Sequence, residues 1–187
     1  MSTDPISIAD EPMDGLFLLR SQVIHDHRGS FWETWHQKHF AQLPGLNLQF
    51  VQSNQSFSKH HVLRGLHYQL ERPQGKLVRI TAGEVFDVAV DVRRTSSSFG
   101  KWFGILLRGG DGLQLWLPPG FAHGFLVTSP DGAYVDYALT AHYDPMSERT
   151  LQWDDRQVGI EWPLHDKPIL SDKDRQGVPL KEAHLFP

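Results

Sequence analysis

A histidine and an arginine stand close together in a short apolar stretch. His67 lies in the run VLRGLHYQ at residues 62–69, three residues after Arg64. Unperturbed imidazole has a pKa of about 6.5, so it can be neutral at working pH and still accept a proton. A regular strand would place the two side chains on opposite faces, and a bend at Gly65 would bring them together. The pattern predicts either a general base or a satisfied structural ion pair.

An anionic ligand would need a local cluster of positive charge, because the chain as a whole is slightly acidic. Its formal net charge is −4 and its pI is about 6.2, with lysines and arginines spread along the sequence. This distribution argues against nucleic-acid binding. The candidates for a local cluster are Arg28, Arg64, Lys76 and Lys173, although charged residues at loop ends are more often simply solvated.

Two further side chains have both a catalytic and a structural interpretation. Alternation over residues 134–139 places Val135 and Tyr137 on one face, so Tyr137 is either a packed aromatic or a phenol that donates a proton across a dry pocket. Asp174 follows Ser171 by three residues, a spacing that is typical of a helix cap. The local sequence leaves both interpretations open.

Two histidine segments raise the question of a metal. Residues 119–124 (PGFAHG) resemble half of a cupin signature, in which a small barrel presents its ligands inward. Metal-binding cupins offer two histidines one residue apart and an acidic ligand in the other half, whereas here Gly65 and Gln69 flank His67 at those positions. A catalytic metal usually needs three protein ligands. A metal is therefore disfavoured.

The elements that must position these side chains are mostly short strands. Residues 86–92 alternate apolar side chains with Asp87, Ala89 and Asp91, which predicts a strand with one apolar and one polar face. About ten such segments predict a mainly β protein built as an antiparallel sandwich or barrel. They include residues 16–21, 47–58, 113–117 and 133–139, with turns such as residues 109–112 between them. Short helices are predicted at residues 35–43 and from Ser171.

The chain length fits one domain. Its 187 residues can bury a sizeable core without disulfides, and the chain contains no cysteine. We predict a single domain over residues 1–187, with an N-terminal arm at residues 1–15 that is loose or lies along a neighbour, and a C-terminal tail with a short helix over about residues 159–187. No secretory signal or membrane-spanning apolar run is evident, so a cytoplasmic location is expected.

Several blocks of the sequence occur in an order and spacing that match one enzyme family. The longest are residues 62–69, 74–79, 83–93 and 119–125, and shorter ones lie at 26–33, 52–56, 153–155 and 171–174. They resemble the dTDP-4-dehydrorhamnose 3,5-epimerase family over residues 15–175. The resemblance implies a cupin-like double-stranded β-helix, or jelly roll, that is usually a homodimer and uses no metal and no organic cofactor.

The resemblance also implies a reaction and the residues that perform it. The substrate would be dTDP-4-dehydro-6-deoxy-D-glucose, whose carbons 3 and 5 are inverted through enolate intermediates to give dTDP-4-dehydro-L-rhamnose. His67 would be the base with Asp174 as its partner, Lys76 would stabilise the enolate, and Tyr137 would protonate the opposite face. Substrate binding would use Arg28, Glu33, Gln52, Asn54, Arg64, Lys76, His123, Glu148 and Lys173.

Three other functions compete with this one. A relative that inverts only carbon 3, in another dTDP-deoxysugar pathway, could use the same base and enolate site. A metal-dependent cupin enzyme could use His67 and His123, and a non-catalytic nucleotide-sugar binder could keep the binding residues alone. Asp87 and Asp91 match the family pattern too, either as partners of the site residues or as structural polar groups.

Overall fold

The computed structural model describes residues 4–187 and consists mainly of short strands. Its strands and helices all have modest length. In chain order they are β1 (Ile6–Met13), β2 (Leu16–Ser21), β3 (Ile24–Asp26), β4 (Gly29–Phe31), α1 (Gln37–Phe40), β5 (Gln52–Ser58), β6 (Leu63–Gln69), β7 (Lys76–Ala82), β8 (Glu84–Asp91), β9 (Trp102–Arg108), β10 (Leu113–Leu117), β11 (Phe121–Val127), β12 (Ala133–Leu139), β13 (Glu148–Thr150) and α2 (Asp172–Arg175). The predicted mainly β class is confirmed.

Two antiparallel sheets face each other and enclose the main core. One has six strands in the order β1-β2-β10-β7-β12-β5, and the other has five in the order β13-β6-β11-β8-β9. Strands β3 and β4 pair with each other in a separate two-stranded hairpin. Because side chains alternate across a strand, each sheet presents one face to the other sheet and one face outward.

Strand β8 has the apolar face and the polar face that its alternating sequence predicts. Val88 and Val90 point outward and pack under the C-terminal tail, as a one-sided apolar strand would. The other face carries the two carboxylates that the alternation predicted, and Asp87, Ala89 and Asp91 are all fully buried. That face looks into the space between the sheets, so its two carboxylates are buried inside the protein.

Three apolar clusters hold this arrangement together. The cluster between the sheets includes Leu16, Val78, Val85, Leu115 and Phe125, which come from both sheets. The outer face of the five-stranded sheet is covered by the tail, through residues such as Val158, Leu180 and Phe186. The outer face of the six-stranded sheet is covered by the segment around α1, through Phe40 and Leu46. Each sheet therefore has both faces buried over much of its area, which favours a rigid frame.

The N-terminal residues and one central segment differ from the prediction. Within the predicted arm at residues 1–15, residues 6–13 form β1 and pair with β2 of the same chain, and residues 1–3 lie outside the described residues. Residues 47–50 were expected to begin a strand, but pairing starts only at Gln52. Leu48 and Phe50 pack against the outer cluster of the six-stranded sheet, so their alternation reflects packing of a connecting segment on the sheet.

Both helices are single turns. Helix α1 occupies four residues within the predicted span, and α2 begins after Ser171, whose Oγ accepts a hydrogen bond from the Asp174 backbone N–H at 3.2 Å. Ser171 is therefore the N-cap that the sequence predicted. Within residues 4–187, neither helix has the length and apolar character that crossing a bilayer requires.

Candidate active site

A cavity of about 340 Å³ opens between the two sheets. The five-stranded sheet supplies Arg64, His67, His123 and Glu148, and the six-stranded sheet supplies Lys76 and Tyr137. Most of the predicted site residues are thus brought together. The lining also contains Gln52, Asn54, Ser56, Gln74, Gly124, Phe125, Leu139, Tyr143 and Lys173.

His67 is held by a buried carboxylate behind it. Its Nε2 lies 2.7 Å from Oδ1 of Asp174, and the Asp174 side chain is only 3% exposed. The same Oδ1 accepts the Gly65 backbone N–H at 3.3 Å, and Oδ2 accepts the Ser171 hydroxyl at 2.7 Å. Asp174 therefore serves both as a residue of the helix start and as the partner of His67, so both interpretations of its sequence position hold.

The local backbone explains how Arg64 and His67 reach the same cavity. The pairing of β6 with β11 shifts register between His123 and Phe125, opposite Gly65. Gly65 has φ of +111°, and a Cβ there would lie 2.6 Å from the Gly124 Cα. Only glycine fits such a close backbone approach at positive φ. The register shift and the positive φ at Gly65 form the bend that brings the Arg64 and His67 side chains to the same side of the strand.

The electrostatics of the histidine and its partner favour a neutral base beside an ionised acid. Burial lowers the pKa of His67 below its usual 6.5, partly offset by the hydrogen bond to Asp174. Burial alone would raise the pKa of Asp174, but hydrogen bonds from His67 and Ser171 bring it below its usual 3.8. Near neutral pH, the pair is therefore imidazole and carboxylate.

Lys76 approaches His67 from the opposite sheet. Its Nζ donates to the His67 backbone carbonyl at 3.2 Å. Burial lowers the pKa of Lys76 from 10.5 to about 8, while the negative charges of Glu148 and Asp87 act to raise it and Lys173 acts to lower it. A lysine with this pKa is still mostly protonated at pH 7. It places a poorly solvated positive charge next to the base.

Tyr137 stands on β12, whose residues face β6 across the cavity. Its Cα partners are Asn54 on β5 and Val78 on β7, and its ring packs against the cluster between the sheets. Within residues 4–187 its hydroxyl makes no hydrogen bond to protein, although it lines the cavity. The ring is therefore a packed aromatic whose hydroxyl is free to meet a ligand.

Polar and charged side chains surround the cavity mouth. Glu148 pairs with Lys173 at 2.9 Å and accepts the Tyr143 hydroxyl at 2.9 Å. The Gln52 side chain donates to the Asn54 side-chain oxygen at 3.1 Å, and its own oxygen accepts the Tyr143 backbone N–H at 2.9 Å. These contacts form a polar rim that contains the Lys173 ammonium, suited to a polar, anionic ligand.

Two predicted binding residues lie away from the cavity of their own chain. Arg28 is exposed in the β3–β4 hairpin, where its Nε donates to Asp26 at 3.0 Å. Glu33 follows the hairpin and lies 2.6 Å from Nδ1 of His39. In residues 4–187, Glu33, His36 and His39 are the one group whose three potential metal-ligand atoms lie within 4.8 Å of one another, and this group is outside the cavity.

Sequence reasoning did not select Tyr143 and Gln74 as site residues. Tyr143 lies in a polar turn with no periodicity, so nothing local distinguishes it from a solvated tyrosine. Gln74 begins one of the family blocks, but its side chain donates to the Ala141 backbone carbonyl at 2.8 Å and thereby fixes a loop.

The two unassigned aspartates of β8 differ in their surroundings. Asp91 accepts hydrogen bonds from Arg93, Ser96 and Ser98, and so anchors the turn that follows the strand. Asp87 contacts a cavity residue instead: both of its carboxylate oxygens lie 3.0 Å from Nε2 of His123. Asp91 is therefore a structural polar group, and Asp87 belongs to the site.

The fold and the site together define a cupin-like enzyme with acid–base groups on two facing sheets. Residues 10–182 match the family model of dTDP-4-dehydrorhamnose 3,5-epimerase. The enzyme of that name from Pseudomonas aeruginosa is 48% identical over 172 residues, which are 92% of this chain and 94% of that protein. The chain therefore belongs to the dTDP-4-dehydrorhamnose 3,5-epimerase family, a family of isomerases.

Solved structures agree with this assignment. The dTDP-6-deoxy-D-glucose-3,5-epimerase RmlC from Legionella pneumophila, in complex with dTDP-4-keto-L-rhamnose, superimposes with a TM-score of 0.93 at 42% identity and covers 97% of each chain. ChmJ, a 3'-monoepimerase from Streptomyces bikiniensis in complex with dTDP-quinovose, gives 0.86 at 30% identity, covering 91% of this chain and 86% of that one. The family, the jelly-roll fold and the epimerase function predicted from the sequence are confirmed.

Proposed function

We propose that the cavity inverts carbons 3 and 5 of dTDP-4-dehydro-6-deoxy-D-glucose by removing a proton on one side and returning one on the other. The observation that carries this proposal is the position of His67 and Tyr137 on facing sheets of one cavity. The ketone at carbon 4 acidifies the protons on both neighbouring carbons. A sugar ring held between the sheets would present one face to each residue.

His67 is the base in this proposal. Its Nε2 is taken by the carboxylate of Asp174, which can only accept, so Nε2 carries the proton and Nδ1 has the free lone pair. When Nδ1 accepts the carbon-bound proton, the imidazolium that forms is stabilised by the buried carboxylate 2.7 Å away. Asp174 thus fixes the tautomer of His67 before the reaction and stabilises the positive charge of His67 during it.

Lys76 and Tyr137 complete the proton transfer. Loss of the proton places negative charge on the oxygen of carbon 4, and the Lys76 ammonium is the cation positioned beside His67 to stabilise it. Tyr137 then donates its hydroxyl proton to the carbon from the opposite sheet. Each inversion leaves an imidazolium and a phenolate, and exchange of protons with water restores both groups.

The rim of the cavity would hold the nucleotide diphosphate. Arg64 is exposed and lines the cavity, and Lys173 adds a second cation. Nε and Nη2 of Arg64 donate to Ser58 and to the Phe57 carbonyl, so Nη1 is the nitrogen that would meet phosphate oxygens. Gln52, Asn54 and His123 would bind sugar and base groups, and Glu148 would keep Lys173 in place. Neighbours solved with dTDP ligands support this kind of substrate.

A homodimer would bring the two outlying residues into a site. The β3–β4 hairpin exposes Ile24 and Phe31 side by side, at 55% and 70%, as cross-strand partners. An exposed apolar pair of this kind is typical of a contact surface. If one chain packs its hairpin against the other, Arg28 and Glu33 would reach the partner's cavity, which would explain why they lie outside their own.

Mixing two inactive variants tests this assembly. His67→Ala removes the base, and Arg28→Ala removes the outlying cation. If the hairpin serves the partner's cavity, mixed dimers contain one intact site, and random exchange of subunits restores about a quarter of wild-type activity. No recovery, with dimers present by light scattering, would place Arg28 in its own chain's site, and full activity of Arg28→Ala alone would place it outside any site.

The single domain and the cytoplasmic location belong to the same proposal. Every strand of residues 4–187 outside the β3–β4 hairpin belongs to one of the two facing sheets, which supports a single folding unit. The location stays a prediction from the sequence, because it depends on where the nucleotide-sugar substrate is present.

Nuclear magnetic resonance in deuterated water tests the reaction. The purified protein is incubated with dTDP-4-dehydro-6-deoxy-D-glucose, and carbons 3 and 5 are followed with wild type, His67→Ala and Tyr137→Phe. We expect deuterium at both carbons with wild type, none with His67→Ala, and with Tyr137→Phe a larger loss of inversion at carbon 5 than of proton removal at carbon 3. Deuterium exchange that survives in His67→Ala would refute the assignment of His67 as the base.

The same spectra test the alternative. A 3-monoepimerase, like the structural neighbour ChmJ, would introduce deuterium at carbon 3 alone. An absence of exchange at both carbons, with substrate still bound, would instead indicate a non-catalytic binder.

A further inference from the structure

Asp87 is a buried carboxylate with unusually little local compensation. Its side chain is fully buried, and within residues 4–187 its hydrogen-bond partner is His123 alone. Asp91, four residues along the same strand and equally buried, is bound instead by a guanidinium and two hydroxyls. Burying a carboxylate without a contacting cation is costly. The charge of Asp87 is therefore weakly neutralised and can act on neighbouring groups, which are His123 and Lys76.

The first group on which Asp87 acts is His123. The Cα partner of His123 on β8 is Ala89, so Asp87 lies diagonally across the pair of strands. A carboxylate accepts hydrogen bonds only, and therefore Nε2 of His123 must carry its proton. Its other ring nitrogen, Nδ1, has no protein hydrogen-bond partner within residues 4–187, and His123 lines the cavity. Asp87 thus leaves Nδ1 as an acceptor for a substrate hydroxyl.

His123 and His67 are arranged as a pair. They are Cα partners across β6 and β11, and each has a buried carboxylate on its Nε2. The two carboxylates come from different elements, α2 for His67 and β8 for His123. The cavity wall therefore contains two histidines whose tautomers are fixed in the same sense by separate acids.

The second group is Lys76. The charges that act on the pKa of Lys76 are those of Glu148 of β13, Asp87 of β8 and Lys173 of α2. The Lys76 Nζ itself contacts the backbone carbonyl of His67 on β6. Glu148 is already paired with Lys173 at 2.9 Å, so much of its charge is neutralised locally. Asp87 has no such cation in contact. Its charge opposes the burial that lowers the pKa of Lys76 to about 8.

We infer that Asp87 is a positioning residue, which fixes His123 as a hydrogen-bond acceptor and keeps Lys76 cationic while the enolate forms. This inference rests on the proposed function, because that function places Lys76 and His123 in contact with the substrate. Asp87 does not line the cavity, so it acts through these two residues.

The test is the pH profile of Asp87→Asn against Asp91→Asn. The two changes remove equally buried carboxylates from one strand, but only the first contacts a residue that lines the cavity, His123. For Asp87→Asn we expect the alkaline limb of kcat/KM to move about one pH unit lower, together with a raised KM. For Asp91→Asn we expect an unshifted limb and a lower melting temperature. An unshifted limb in Asp87→Asn, or an equal shift in both variants, would overturn the inference.

A second measurement keeps the test valid if Asp87→Asn does not fold. The ¹⁵N shifts of wild-type His123, assigned with His123→Gln, report which ring nitrogen carries the proton. We expect the proton on Nε2, and a proton on Nδ1 would contradict the role of Asp87. Failure of the proposed function is recognised separately, because it would appear as absent deuterium exchange in the wild type.

Discussion

Replacing Asp174 by asparagine tests the link between structure and catalysis at a single carboxylate. The change keeps the side-chain volume at a site that is 3% exposed, and the Ser171 cap bond to the Asp174 backbone remains. It removes the negative charge that faces Nε2 of His67. Asparagine can also donate its amide N–H to Nε2, which would move the imidazole proton to Nδ1 and block the base.

The size of the effect follows from the geometry of the pair. Two unit charges about 4 Å apart interact by about 4 kcal/mol at an effective dielectric of about 20. A hydrogen bond to a charged group contributes about 1.5–3 kcal/mol. Both contributions are complete only after His67 has taken the proton, so they lower the barrier. A loss of about 2–4 kcal/mol corresponds to about 30- to 1000-fold in kcat.

The assay is the rate of product formation, with a 4-ketoreductase trapping the product, measured beside thermal unfolding. Asp172→Asn is the matched control, because Asp172 lies on the same helix, has a 92% exposed side chain and pairs only with Arg175 among residues 4–187. We expect less than about a twofold change in kcat for this control. If Asp174→Asn retains full activity with an unchanged fold, the assigned role of the acid is wrong.

Two further predictions follow from the same geometry. The pH profile of kcat/KM should be bell-shaped: His67 must be neutral, so activity rises with pH through a limb below 6.5, and Lys76 must be protonated, so activity falls as pH rises through about 8. A rate that stays constant from pH 7 to 10 would contradict the role of Lys76. Gly65→Ala should destabilise the protein by about 3 kcal/mol in chemical denaturation, because its Cβ would lie 2.6 Å from Gly124 at a positive φ. The control is Gly110→Ala, because Gly110 also has positive φ but an added Cβ there would have nothing within 4 Å. We expect this control to lower the free energy of unfolding by about 1 kcal/mol. Equal losses in the two variants would show that the close approach to Gly124 does not matter.

Local patterns predicted several strands well. The strands at Leu16–Ser21, Leu113–Leu117 and Ala133–Leu139 have the predicted bounds, because alternation and flanking turn residues act within a few positions of each other. The same reasoning failed at residues 47–50, where alternating Leu48 and Phe50 pack on a sheet without pairing in it. It also failed at β1, whose pairing with β2 depends on a partner strand that local propensity does not include.

The candidate site was predictable as a set of residues but not as an arrangement. The family blocks identified His67, Lys76, Tyr137 and Asp174, and three of these line one cavity with Asp174 behind His67. Spacing could not place Arg64 on the same side as His67, since that depends on the close approach of two glycine backbones. Nor could it pair Asp87 with His123, because the two residues meet only through the register of β8 and β11.

The isotope content of the first product tests most directly whether two residues act from opposite sheets. Protiated substrate is mixed with wild-type enzyme in deuterated water, and the reaction is stopped after a small fraction of the substrate has turned over. Since the returning proton comes from Tyr137, which exchanges with solvent, we predict deuterium at every inverted carbon of the product. A product that retains the original protium at those carbons would mean that one residue both removes and returns the proton, and would contradict the two-sided site.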